Sequence, residues 1–150
     1  MSPFKFGDVP ILIVREALVT LIASDRQAIT DLINMHGHLT DRGAFERMDE
    51  LFTPDAEFDL CDFGLGVRAG LAAMNDAIRA IQEHPVGHHV TNIVLSEGDD
   101  GIVHAISKGI GIGANGHCGS VVYEDVLRAG PAGWRIARRT IRLRRVPLHA

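Results

Sequence analysis

The feature that most constrains this chain is the change of pattern at His84-Pro85, where helical spacing of apolar residues gives way to a series of β-rich segments. Before that point, Ile29, Leu32, Ile33, His36 and Leu39 recur at threes and fours and predict a helix over 25–39 with one buried stripe. Ser24-Asp25-Arg26-Gln27 has the form of a capping box and places the start of the helix there. Phe45, Met48, Leu51 and Phe52 predict a second helix over 44–52, stopped by Thr53-Pro54-Asp55. Leu71, Met74, Ile78 and Ile81 predict a third, closed because proline disfavours helical geometry in the residue before it. The alternation in 56–63 fits a half-buried strand, with a short glycine-bounded piece at 65–68.

After Pro85, the segments 87–96, 102–113, 119–128 and 134–146 are separated by Glu97-Gly98-Asp99-Asp100-Gly101, Ala114-Asn115-Gly116 and Ala129-Gly130-Pro131-Ala132-Gly133. Turn residues at those intervals predict an antiparallel meander. Helices first and hairpins afterwards give an α+β fold, with three N-terminal helices on one face of a curved sheet. At 150 residues the chain has the size of one domain, with a 1–23 extension followed by a 24–150 core.

Composition excludes several classes of function. The net charge of −4 provides no overall drive toward nucleic acid. The arginines at 135, 138, 139, 142, 144 and 145 therefore read as a solvated strand face or an oligomer contact. Ile11-Leu12-Ile13-Val14 is interrupted by Arg15-Glu16, well short of the ~20 residues that span a bilayer. Cys61 and Cys118 lack metal-ligand or redox spacing, which favours a cytoplasmic location with both thiols reduced. The histidines lack the spacing of a metal centre, and Gly109-Ile110-Gly111-Ile112-Gly113 has no following helix, so it is a sheet feature rather than a dinucleotide motif.

Several residues remain as candidates for chemistry. In a regular strand His88, Val90, Asn92 and Val94 share one face, and His89, Thr91, Ile93 and Leu95 the other. Both faces carry aliphatics, so periodicity does not choose between the two histidines. Asp41 is either a turn former at a helix end or a carboxylate partner for one of them. His36 lies five residues earlier, roughly 140° away around a helix. Arg139 shares a face with Ala137, Ile141 and Leu143, and if it points inward it needs an anionic partner. Tyr123, on a face with Val121 and Asp125, and His104, between Ile102 and Ile106, are further candidates for lining a cavity.

The element order, together with Asp41, His88-x-x-Thr91-Asn92, Tyr123-Glu124-Asp125 and Gly133-Trp134-Arg135-Ile136, resembles the SnoaL-like proteins of the nuclear-transport-factor-two-like superfamily over about residues 24–146. The resemblance implies a cone-like, cystatin-like α+β barrel with a cavity for a small apolar molecule. Scytalone dehydratase and hexachlorocyclohexane dehydrochlorinase are members, as are ketosteroid isomerase and polyketide cyclases. Matched by local motif, the dehydrochlorinase's lysine, aspartate, histidine and arginine fall on His36, Asp41, His88 and Arg139, so the resemblance selects His88 over His89. It departs from the pattern in placing His36 where the family has lysine.

The function implied is a cofactor-independent lyase of the dehydratase type, acting on a small cyclic, polyketide-like or steroid-like substrate. Asp41 would orient His88 as base, His36 or Tyr123 would assist the leaving group, and Arg139 would balance Asp41 or the developing charge. Asn92 and His104 are expected to contact substrate. The alternatives are a proton-shifting isomerase, a polyketide cyclase, or a non-catalytic binding or association module. Self-association as a dimer or trimer is expected through outer-face aliphatics such as Val90 or Ile93.

Overall fold

The computed structural model describes residues 21–98 and 101–146. Helix α1 spans Ala23–Asp41 and buries Ile29, Leu32, Ile33, His36 and Leu39, the stripe expected from their spacing. Its start differs from expectation. Ile22 occupies the N-cap position without a side-chain cap hydrogen bond, so Ser24 lies inside the first turn and the capping box does not form. The helix start is instead tied to the sheet, because the Trp134 indole N–H donates to Asp25 at 3.0 Å. The backbone N–H of Leu21, itself a core residue, donates to Glu97. Of the expected 1–23 extension, residues 1–20 lie outside the described residues, as do Asp99 and Asp100 of the first hairpin turn and residues 147–150.

The expected second helix is a short 3₁₀ helix, Phe45–Glu50, and strand β1 begins directly after it at Phe52 and runs to Leu60. Thr53-Pro54-Asp55 does not stop a helix there. It occupies the interruption of β1 pairing between Phe52 and Glu57, where proline's missing N–H breaks no ladder bond. A 3₁₀ turn over Cys61–Phe63 leads to β2 (Gly66–Ala69) and then to α2 (Leu71–Arg79).

The β-rich half forms β3 (Gly87–Glu97), β4 (Val103–Ile112), β5 (Cys118–Gly130) and β6 (Gly133–Arg144). These pair antiparallel in sequence, as the turn residues require, in one six-stranded sheet of order β2-β1-β6-β5-β4-β3. One pairing departs from the expected all-antiparallel sheet: β1 runs parallel to β6. The core lies between α1, α2 and the inner face of the curved sheet, built on Ile29, Ile33, Leu39, Phe52, Leu127 and Ile136. Among the described residues, no helix is long and apolar enough to cross a membrane.

A bulge in β3 alters which residues face inward. Pairing with β4 shifts between Thr91 and Val94, and Asn92 adopts φ 55, a left-handed conformation that asparagine tolerates better than most residues. The parity of the strand flips there. His88 and Val90 face the core before the bulge and Ile93 and Leu95 after it, while Val94 is exposed. Val90 and Ile93 are therefore not outer-face aliphatics. The exposed row consists of Val94 (60% exposed) and its cross-strand partner Ile106 (49%), with Ile110 nearby.

Candidate active site

The last turn of α1 and the first residues of β3 meet closely at Gly37, where a Cβ would lie 2.6 Å from the His88 carbonyl oxygen. This approach carries Asp41, the final residue of α1, to the start of β3. The Asp41 carboxylate accepts the His88 backbone N–H at 3.0 and 3.1 Å and faces the His88 ring Nδ1 at 2.6 Å. A carboxylate can only accept, so in a neutral imidazole Nδ1 carries the hydrogen and Nε2 keeps a free lone pair. Both side chains are partly open, 17% for His88 and 26% for Asp41. An aspartate at the negative end of a helix gains nothing from the helix dipole, so helix stability alone does not account for this one. His89 is exposed on the opposite face.

Deeper in the core lies a second ion pair. The Arg139 Nε and Nη2 groups each donate to Asp125 at 2.7 Å, and both side chains are fully buried. The two residues are direct cross-strand partners on β5 and β6. Burial works against the guanidinium charge, but Asp125 overrides it and holds the Arg139 pKa above its usual value. Arg139 therefore pairs with Asp125 rather than balancing Asp41, which was one of the two roles expected of it alongside stabilising developing negative charge. Its inward direction depends on a bulge, since the β5–β6 register shifts between Val126 and Leu127 and places Trp134, Ile136 and Arg139 all inside. Ala137 is only partly buried.

Two aromatic rings lie between Arg139 and His36. The Arg139 guanidinium carbon lies 4.6 Å from the centre of the Tyr123 ring and 5.5 Å from that of Phe52. The His36 ring meets the same two residues edge-on, at 6.1 Å from Tyr123 and 5.8 Å from Phe52. His36 is only 7% exposed, and its Nδ1 has no hydrogen-bond partner among the described residues. Burial above all, then the charges of Arg139 and His88, hold its pKa well below 6.5, so His36 is neutral at pH 7. It can donate or accept a hydrogen bond there but is not a standing cation in the manner of lysine. Burial raises the Tyr123 phenol, which stays protonated.

His36, Asp41, His88, Tyr123 and Arg139 thus gather around the inner face of β3–β6. Asn92 and His104 do not join them. Asn92 is exposed at the bulge, its amide oxygen accepting the Thr91 hydroxyl, and His104 lies on the outer face of β4, whose exposure alternates from Val103 onward. The bulge accounts for Asn92, and on β4 it is Ala105 and Ser107 that face inward, not His104 and Ile106 as the sequence led us to expect. Asp125 was missed. The signal for Asp125 was its position two residues after Tyr123, on the same face as a tyrosine and opposite an inward arginine. Gly109 also contributes, because a Cβ there would overlap the Tyr123 ring. A separate groove of about 320 Å³ between α1, the 3₁₀ helix and β6, lined by Leu32, Met35 and Trp134, contains none of these residues.

Comparison with known proteins places the fold. A family model described as a SnoaL-like domain matches residues 22–140. An NTF2-like protein with a cystatin-like fold from Novosphingobium aromaticivorans is 25% identical, with a TM-score of 0.68, covering 80% of this chain and 82% of that one. A candidate scytalone dehydratase from the same organism is 20% identical (TM-score 0.67, 85% and 89% covered). A type 2 hexachlorocyclohexane dehydrochlorinase, LinA, is also 20% identical (TM-score 0.67, 84% and 90% covered). No functionally curated protein matches the chain.

Proposed function

The chain belongs to the SnoaL-like domain family, and from that membership and the Asp41–His88 contact we propose a cofactor-independent lyase that removes water from a small cyclic, polyketide-like or steroid-like molecule. The fold hosts several chemistries, so the proposal rests on the site. The observation that carries it is the 2.6 Å contact between Asp41 and the His88 Nδ1, which leaves Nε2 available as a base. Similarity to a candidate scytalone dehydratase and to a dehydrochlorinase agrees in reaction type.

In this scheme His88 Nε2 takes a proton from an acidic carbon. The C–H electrons form the new double bond as the β-hydroxyl departs. The leaving hydroxide takes the proton back from the His88 imidazolium, so water is released and the base is regenerated. Tyr123, a protonated phenol, supplies a hydrogen bond to the departing oxygen, while Arg139, kept charged by Asp125, favours negative charge developing nearby. If nothing leaves, the same proton transfer gives an isomerisation. Self-association would cover the exposed Val94 and Ile106 row on the outer face.

The test is turnover of a panel of cyclic β-hydroxy ketones, followed by the absorbance of the conjugated product. Asp41→Ala and His88→Ala should each abolish turnover while leaving the circular dichroism spectrum unchanged. Full activity in either variant sinks the assignment. A non-catalytic carrier would bind the same compounds and convert none.

A further inference from the structure

Gly109 is the one buried glycine in the run Gly109-Ile110-Gly111-Ile112-Gly113 on β4. Its φ is not positive, so the backbone conformation does not call for glycine there. Glycine weakens a strand interior relative to alanine, and it occurs in strands where something approaches the backbone closely. Here that is the Tyr123 ring. A Cβ on Gly109 would lie 2.9 Å from Tyr123 Cζ, the carbon that bears the hydroxyl, and 2.7 Å from Val121 Cγ2. The hydroxyl-bearing end of the ring therefore rests on the β4 backbone at Gly109.

Register gives this contact a direction. Tyr123 pairs directly with Ser107, so a ring lying over Gly109 leans two residues along β4. Gly109 pairs in turn with Val90 on β3, and the next inward pair along is Gly111 with His88. The lean is toward the end of the sheet that carries His88. It leaves Tyr123 Cζ above a point one strand across and two residues along from His88, roughly 5 Å and 7 Å in those directions. The Arg139 guanidinium lies 4.6 Å from the ring centre, and the His36 ring meets its edge at 6.1 Å between centres. An alanine in place of Gly109 would close the space that the lean needs.

We propose that Gly109 is a positioning residue for the reaction: its missing side chain sets the Tyr123 hydroxyl on the His88 side of the pocket, where it meets the departing oxygen. The inference rests on the lyase reading, in which Tyr123 hydrogen-bonds that oxygen. Gly109 acts through the tyrosine and not on the substrate.

The test compares two rates in the intact protein. Dehydration of 3-hydroxycyclohexanone needs both His88 and the leaving-group contact, whereas exchange of the α-hydrogens of cyclohexanone with deuterated water needs only His88. Gly109→Ala should slow dehydration about tenfold or more and change exchange less than about twofold. Tyr123→Phe should show the same split, and Gly109→Ala added to Tyr123→Phe should slow dehydration no further. Gly119→Ala, on the inner face of β5 where a Cβ meets nothing among the described residues, should alter neither rate. Tyr123 is the only tyrosine of the chain, so ultraviolet absorbance follows its phenol alone. The titration midpoint, raised by burial in the natural protein, should fall toward its ordinary value in Gly109→Ala. Overhauser contacts in the natural protein should join the Gly109 Hα atoms to the Tyr123 ring, whether or not any variant folds. Equal loss of both rates in Gly109→Ala, an unchanged dehydration rate, or no Overhauser contact overturns the inference. If the natural protein carries out neither reaction, the lyase reading falls and takes the catalytic part of Gly109 with it, while the Overhauser contact and the lowered midpoint still support the placement of Tyr123. If dehydration depends on Asp41 and His88 but not on Gly109, only this inference falls.

Discussion

Breaking the Asp125–Arg139 pair should nearly unfold the protein, and removing both residues should not. The pair is fully buried and bidentate, with both hydrogen bonds at 2.7 Å. Deleting one partner leaves an uncompensated charge in the core, at a cost of about 3–5 kcal/mol. Domains of this size have about 5–15 kcal/mol in total, so Asp125→Leu or Arg139→Met alone would leave a marginal fold. Asp125→Leu with Arg139→Met removes the charges and the demand for solvation together, and such replacements are neutral or stabilising in other buried pairs. A double-mutant cycle from urea unfolding, followed by circular dichroism, should therefore give a coupling of about 2 kcal/mol or more. Additive single effects, or single variants that each cost less than about 1 kcal/mol, would refute the reasoning.

Two further outcomes follow from the same geometry. His36 is held neutral, with a native pKa well below its unfolded 6.5. The unfolded chain thus binds more protons as pH falls below 6.5, and stability is lost on acidification. Relative to His36→Phe, the natural protein should lose on the order of 1 kcal/mol between pH 7.5 and 5.5 in urea titrations; no pH dependence in that difference would contradict the burial argument. Gly37→Ala, which at an exposed helical position would stabilise by up to about 1 kcal/mol, should instead destabilise, because the new Cβ meets the His88 carbonyl at 2.6 Å. A raised unfolding midpoint in that variant would show that α1 and β3 do not approach as closely as described.

Much of this fold is written in local patterns. The α1 stripe, the hairpin turns and the four long strands follow from spacing and turn residues, because each depends on neighbours close in sequence. Phe52 shows where that reasoning stops. Its apolar spacing continues the helical face of Met48, but pairing with Ile136 on the distant β6 draws it into a strand. The bulge at Asn92 is similar, since one residue of slippage reverses every later side chain and only the partner strand fixes where it occurs. That single irregularity explains why Asn92 and Val94 face outward although His88 faces inward.

The site divides along the same line. Asp41 and one of the two adjacent histidines were candidates from the sequence, the family resemblance selected His88, and in the structure Asp41 and His88 are in contact. The partner of Arg139 depended on the β5–β6 register, which the sequence does not print, and so Asp125 was absent from the expected set.

The central claim is that His88, oriented by Asp41, removes a proton from carbon. The most direct test is exchange of the α-hydrogens of a cyclic ketone with deuterated solvent, followed by proton NMR, because it isolates that step from any leaving group. The account predicts exchange faster than in buffer with the natural protein, and a fall of about 100- to 10,000-fold in the protein-dependent rate with His88→Gln or Asp41→Asn. Exchange no faster than in buffer, or equal rates in the natural protein and either variant, would contradict it.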